Sequence, residues 1–193
     1  MIDLPQITLI LLTNRDFEGA KKAIDKSCEA INFGAVKIIW DEKCNSIDIW
    51  NEKMIKELPM YVSTSHAMII HQDGWIIHPE LWDPEWLSYD FIGAPWPLPQ
   101  DNYSYLDEEG GLQRVGNSVS LRSKKLMDLA ATRPVLHRYG NNNEDGHICC
   151  WNRKWLESQG CKFASLDVAK YFSKEHTIEE NKDIEKTFMF HSL

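Results

Sequence analysis

Three short apolar runs separated by helical spacing constrain this chain more than any other feature. Ile7-Thr8-Leu9-Ile10-Leu11-Leu12 is continuous rather than alternating, the pattern of a parallel strand covered on both faces. Thr13-Asn14-Arg15-Asp16 breaks the run, and Phe17, Ala20, Ile24, Cys28 and Ile31 then recur at helical spacing. Val36 to Trp40 predicts a second buried strand. Ser46 is placed to cap a second helix, whose apolar face is Ile47, Trp50, Met54, Ile55 and Leu58 and which Pro59 closes. Ala67-Met68-Ile69-Ile70 predicts a third strand. Three βα-type units in succession predict an α/β fold, a Rossmann-like, mostly parallel sheet flanked by helices with right-handed crossovers.

After Asp73 the texture changes. Residues 74–118 are rich in Trp, Pro, Tyr and Gly, with short strands predicted at Phe91-Ile92 and Val119-Ser120-Leu121. Ser123 can cap a short helix through Ala131. A polar loop, Gly140-Asn141-Asn142-Asn143, leads to a helix predicted from about Glu144 to Glu157 with Ile148, Trp151 and Trp155 on one face. A strand candidate lies near Phe163, a charged stretch runs from Glu175 to Lys186, and the chain closes on Phe188-Met189-Phe190-His191. No repeat, low-complexity tract or linker interrupts the 193 residues, which read as one domain.

Charge and cysteine usage exclude several partners. Lys+Arg 21 against Asp+Glu 29 gives a net charge of −8, a poor basis for gripping nucleic acid through its phosphates or for sitting on an anionic membrane. The opening Met-Ile-Asp-Leu-Pro lacks the basic start and cleavage site of a signal peptide, and no stretch approaches the roughly 18 apolar residues of a membrane span. Five cysteines without CxxC spacing argue against structural zinc and for reduced thiols in a cytoplasmic setting. Eight Trp residues contribute buried area in the first instance. Trp96 is the best candidate for a ring facing a cleft.

Three short patterns could carry chemistry. Ile69-Ile70-His71-Gln72-Asp73-Gly74 reads as a buried strand ending in an acid and a glycine. Ligands of open α/β sheets bind beyond such carboxyl ends, and period two would put His71 and Asp73 on one side. An Asp-Gly turn that merely ends a strand fits equally well. Glu144-Asp145 either complements the dipole of a helix start or presents a general base above a cleft. His191, behind an aromatic run, belongs to a tail expected to dock rather than fray, where it could serve as a late metal ligand. His66, His71 and His78 permit a metal-hydrolase reading, though no HxH or HExxH spacing supports it.

Taken together and in order, these blocks resemble a widespread bacterial, fungal and viral domain family grouped with the GT-A-type glycosyltransferases. The resemblance runs from about Trp50 to His191. It rests on Ile55-Lys56-Glu57-Leu58-Pro59-Met60-Tyr61, on His71-Gln72-Asp73-Gly74-Trp75 through His78-Pro79 and Trp82, and on Tyr89-Asp90-Phe91-Ile92-Gly93-Ala94-Pro95-Trp96. It continues through Val115-Gly116-Asn117 with Ser120-Leu121-Arg122-Ser123, Asn143-Glu144-Asp145, Phe172-Ser173-Lys174-Glu175 and Phe190-His191.

The resemblance implies a metal-dependent, inverting glycosyltransferase that moves a sugar from a nucleotide-sugar donor, UDP-sugars being favoured, to a glycan or other hydroxyl acceptor. Residues 1–75 would form the nucleotide-binding half and 76–193 the acceptor side. Asp73 stands at the metal-binding acid position and His191 at the late ligand, for Mn²⁺ or Mg²⁺. His71 occupies the slot of the first acid. Asp145 maps onto the catalytic base, with Glu144 as fallback. Thr13, Asn14 and Arg15, with Trp40, Asp73 and Gly74, would hold the donor, while Trp96, Gly116 and Asn117 would meet the acceptor. A bound cation also explains how a −8 chain could hold a diphosphate. One departure stands out. The family usually carries Gly-Asn-Gly-Gly-Phe-Ser where this chain has the shorter Gly116-Asn117-Ser118-Val119-Ser120, which leaves acceptor choice open and keeps a non-catalytic sugar-binding module as the alternative.

Overall fold

The computed structural model describes residues 1–136 and 143–192; the polar loop expected at Gly140–Asn143 lies outside these, apart from Asn143. The first apolar run forms strand β1 (Ile2–Thr13), an interior strand of a five-stranded sheet of order β2-β1-β3-β5-β4. Ile7, Leu9, Ile10 and Leu11 are fully buried because β1 has a parallel neighbour on each side and layers on both faces. Asp16 caps helix α1 (Phe17–Cys28), its carboxylate accepting from the Gly19 amide at 2.8 Å. Strand β2 (Ile31–Trp40) follows and is longer than expected. It is also not buried: Val36 and Trp40 are 45% and 43% exposed, since β2 is the sheet edge.

Helix α2 (Ile47–Lys56) starts at the expected cap, Ser46 Oγ accepting from Ile49 N at 3.2 Å. A 3₁₀ turn, Leu58–Tyr61, carries Pro59 beyond it, and strand β3 (His66–Ile69) returns beside β1. No helix follows β3, so two βα units are completed rather than three. A tight turn closes instead, His71 and Gly74 exchanging backbone hydrogen bonds of 2.8 and 3.2 Å. Short 3₁₀ turns then lead to strand β4 (Phe91–Pro95), and strand β5 (Val115–Ser123) enters the sheet antiparallel between β3 and β4.

Ser123 caps helix α3 (Lys124–Thr132) as expected. The single helix predicted over 144–157 is broken instead. A first turn α4 (Glu144–Gly146) passes into a π-helical turn, His147–Trp151. Asn152, at φ −128° and ψ 13°, then starts α5 (Arg153–Ser158). Phe163 pairs with Phe91 as an isolated bridge. Helix α6 (Leu166–Phe172) leads into strand β6 (Ser173–Lys174), which pairs in parallel with strand β7 (Met189–Phe190). The tail therefore docks. Phe188 and Met189 are fully buried, and the Phe188 carbonyl accepts from the amides of Ile77 and His78. Trp82, Trp86, Phe172 and Phe188 form one aromatic cluster, so these Trp residues serve packing. All five cysteines are free thiols.

Candidate functional site: two cavities about a shared wall

The strands β1 and β3 end at the floor of a cavity of about 330 Å³, where an open α/β sheet offers its crevice. Thr13, Asn14 and Arg15 line one side, Trp50 the middle, and His71, Asp73 and His191 the other. Trp50 was not singled out for a site; its indole Nε1 donates to the Leu12 carbonyl at 3.0 Å, holding the ring at the strand end. Trp40 lies apart from this lining. It pairs edge-to-face with Phe17, ring centres 5.8 Å apart, on the exposed sheet edge. Gly74 is not in the lining either. A Cβ there would sit 2.8 Å from the Phe190 carbonyl and 3.0 Å from the His191 ring, so its missing side chain makes room for the chain's own tail.

His71, Asp73 and His191 each offer one ligand atom, and the three atoms lie within 4.8 Å of one another. The strand period does not bring them together, because β3 has ended; the tight turn and the docked tail do. Burial, then the neighbouring His191, depresses the His71 imidazole to about 3, so its ring is neutral. Its Nε2 is buried with no hydrogen-bond partner among the described residues, the kind of orphaned group that calls for an explanation. His191 points Nε2 towards Asp73 Oδ1 at 3.7 Å, while Nδ1 lies 3.1 Å from Glu175. Burial pulls this imidazole down, but the hydrogen bond and charge of Glu175 outweigh it and hold His191 above its ordinary value. Histidines that bind metals characteristically have a carboxylate behind them in this way. Two imidazoles and a carboxylate fit a divalent cation, Mn²⁺ better than the oxygen-seeking Mg²⁺.

A second cavity of about 410 Å³ lies on the other side of Glu175, lined by Trp96, Tyr103, Tyr105, Asp145, Trp151 and His176 among others. Asp145 opens into it from the first turn of α4. Burial first, and the adjacent Glu144 charge second, raise its carboxyl to about 7, the range suited to a general base at neutral pH. Glu144 faces away, 1% exposed, with Oε2 at 2.9 Å from Arg122 Nη1. Trp96 is only 5% exposed. Its ring stacks on Tyr105 at 4.5 Å, and a Cβ on Gly116 would meet it at 1.8 Å.

Strand β5 adjoins the wall between the cavities, the Asn117 side chain hydrogen-bonding Glu175. Ile92 faces Leu121 but Ala94 faces Gly116, so two steps along β4 answer five along β5, and residues 117–120 bulge out, as strands often do beside sites. Asn117 takes the left-handed conformation at φ 86°, and its Oδ1 accepts from Val119 N at 2.8 Å. Ser118 reaches the first cavity, while Gly116 and Asn117 line neither. Arg122 ties the bulge down: Nε donates to Ser120 Oγ at 2.8 Å and Nη2 to the carbonyls of Asn117 and Ser118. Tyr105, Asn117 and Ser192 are the three non-glycine residues at positive φ among the described residues. Tyr105 lines the second cavity, Asn117 sits in the wall, and Ser192 hydrogen-bonds Asp73, a clustering of backbone strain typical of functional sites.

Arg122 and Glu175 were visible in the sequence only as members of motifs, with no role attached. Pairing Arg122 with Glu144, or Glu175 with His191, needs the fold. No helix among the described residues is long and apolar enough to cross a membrane.

One solved structure with the same fold is titled "Crystal structure of a glycosyltransferase involved in the glycosylation of the major capsid of PBCV-1". It is 11% identical, with 96% of this chain and 91% of that chain covered and a TM-score of 0.57. No curated protein matches the chain. A family model described as "Protein of unknown function (DUF5672)" matches residues 37–191, and the chain belongs to that family.

Proposed function

We propose that this protein is a GT-A-type, metal-dependent glycosyltransferase that moves a sugar, with inversion, from a UDP-sugar or related nucleotide-sugar to the hydroxyl of a glycan or other acceptor. One observation carries the reading. A cation-competent triad, His71, Asp73 and His191, and a carboxyl poised near neutrality, Asp145, open into two cavities that share the Glu175–His191 pair as their wall. The fold likeness to a solved glycosyltransferase supports it.

In this reading the first cavity takes the nucleotide. Thr13, Asn14 and Arg15 hold base and ribose at the end of β1, against the Trp50 ring. His71, Asp73 and His191 would hold Mn²⁺ or Mg²⁺, which when bound supplies Lewis-acid neutralisation of the departing diphosphate. Glu175 fixes the His191 ring so that Nε2 faces the first cavity. Asp145 accepts the proton of the attacking acceptor hydroxyl from the second cavity. Arg122 and Glu144 act on Asp145 through their opposing charges, and the Gly146 amide donates to its Oδ1 at 2.8 Å.

The test is a calorimetric titration with UDP, with and without Mn²⁺, on wild type and Asp73→Asn. Manganese-dependent UDP binding in wild type, lost in Asp73→Asn with the circular dichroism spectrum unchanged, is the expected result. Equal UDP affinity in every condition would sink the assignment.

A further inference from the structure

The second cavity has a shape and charge that select among acceptors. The Tyr105 side chain is part of its lining. Trp96 backs that ring at 4.5 Å with planes 19° apart, and Trp96 is itself wedged against Gly116. Tyr105 is held in the left-handed conformation, φ 60°, which is strained in a non-glycine residue and persists only when its surroundings enforce it.

They do. The Tyr105 carbonyl accepts from Gln113 N at 2.7 Å. Asp107, almost fully buried, accepts from the amides of Glu109 and Gly111 and from Gln113 Nε2. Glu108 then accepts from the amides of Lys154 and Trp155, anchoring the hairpin to the start of α5. An aromatic ring with only two side-chain torsions, fixed on a rigid hairpin, is a preorganised platform.

Among the described residues, acidic side chains outnumber basic ones in the cavity's lining. Asp145 and Glu175 face the cavity, His176 supplies an imidazole to the lining, and no Lys or Arg lines it among the described residues. Arg122, a buried cation close enough to act on Asp145, is turned against Glu144. A flat aromatic ring and two carboxylates in one lining suit a sugar ring, whose C–H face packs on the aromatic ring while its hydroxyls donate to the acids. A carboxylate or phosphate on that sugar would meet no Lys or Arg among the described residues that line the cavity.

We infer that the acceptor is an uncharged carbohydrate whose ring lies on Tyr105, with its attacking hydroxyl at Asp145, and that uronic acids and phosphorylated sugars are turned away. Tyr105 is thus the specificity-determining residue of the acceptor side, and Trp96 the positioning residue beneath it. The inference rests on the transferase reading for the role of Asp145; the platform itself is a statement about binding.

The experiment separates the two. Binding of methyl glycosides of glucose, galactose, mannose and N-acetylglucosamine is measured by saturation-transfer NMR. Methyl glucuronide, methyl galacturonide and glucose 6-phosphate form the anionic set, and UDP with Mn²⁺ is titrated in parallel. At least one neutral glycoside should bind, with its anionic counterpart at least tenfold weaker. Tyr105→Ala should weaken the neutral glycoside about tenfold while UDP titration is unchanged, and Tyr105→Phe, which keeps the ring, should recover most of that loss. Equal binding of neutral and anionic sugars, or unchanged glycoside affinity in Tyr105→Ala, would overturn the inference. So would wild-type protein that binds UDP with Mn²⁺ but none of the neutral glycosides. Neutral-glycoside binding through Tyr105 without any UDP binding would uphold the platform and remove the transferase reading.

Discussion

Arg122 Nη1 lies 2.9 Å from Glu144 Oε2, and both side chains are 1% exposed. Neither Glu144 oxygen takes a well-directed hydrogen bond among the described residues, so the carboxylate depends on the guanidinium charge. Removing one partner of such a pair leaves a buried charge alone, at a cost of about 3–5 kcal/mol. Arg122→Met should therefore lower the melting temperature by roughly 10 °C for a domain this size, measured by calorimetry. Glu144→Gln keeps the shape and removes the charge that helps to raise Asp145. The acidic limb of the transfer pH profile should move to lower pH in that variant.

Asp145 carries a stability signature of its own. Its folded carboxyl titrates near 7, raised from 3.8 by burial and by Glu144, so between those values the folded state holds a proton that the unfolded state has released. Stability attributable to this group is intact below about 4 and falls as pH rises towards 7. Asp145→Asn removes the titration. It should melt a few degrees above wild type at pH 8, match it near pH 3.5, keep UDP binding and lose transfer. Identical melting curves at pH 8 would show that the aspartate is not held protonated by its surroundings.

Glu175 stands behind His191, 3.1 Å from Nδ1. Loss of the carboxylate partner of a ligating histidine typically reduces metal affinity by about 10–100-fold. Glu175→Gln should weaken Mn²⁺ binding in that range, and His71→Ala should weaken it further by removing a ligand. Manganese titration followed by proton relaxation of bulk water reads both.

Gly74 tests whether the tail belongs to the site. An alanine Cβ there would press on the Phe190 carbonyl and on the Cα and ring of His191 at 2.8–3.0 Å. The tail must give way, since β6 and β7 pair over only two residues each. Gly74→Ala should lose Mn²⁺-dependent UDP binding while costing only about 1–3 kcal/mol of stability, the usual range for overpacking, as read by urea denaturation.

Legibility differed by region for physical reasons. The first two βα units were readable because burial on both faces writes a continuous apolar run, as in Ile7–Leu12, and because caps such as Ser46 and Ser123 are local. Val36–Trp40 misled, since an edge strand of the same composition leaves one side uncovered. Residues 144–157 look like one amphipathic helix, yet a π-helical turn and Asn152 divide them; a one-residue change of winding beside a site leaves the apolar spacing almost untouched. Of the site, Asp73, His191 and Asp145 stood out through motif resemblance, and Thr13–Arg15 through strand-end position. Trp40 was drawn in by the same strand-end argument, but β2 ends on the outer edge, away from the cavity.

Composition, periodicity and motif order alone determined that this chain builds an α/β sheet, carries too little positive charge for a polyanion, and ends in a tail that docks. These are local or summed properties, readable without coordinates. Only the tertiary structure decided that His71 lies with Asp73 and His191, that Glu175 in one cavity reaches His191 in the other, and that Glu144 faces Arg122 while Asp145 faces the second cavity. Each of those relations spans a turn, a bulge or more than a dozen residues of chain. Which of two neighbouring carboxylates meets solvent depends on what packs behind the other.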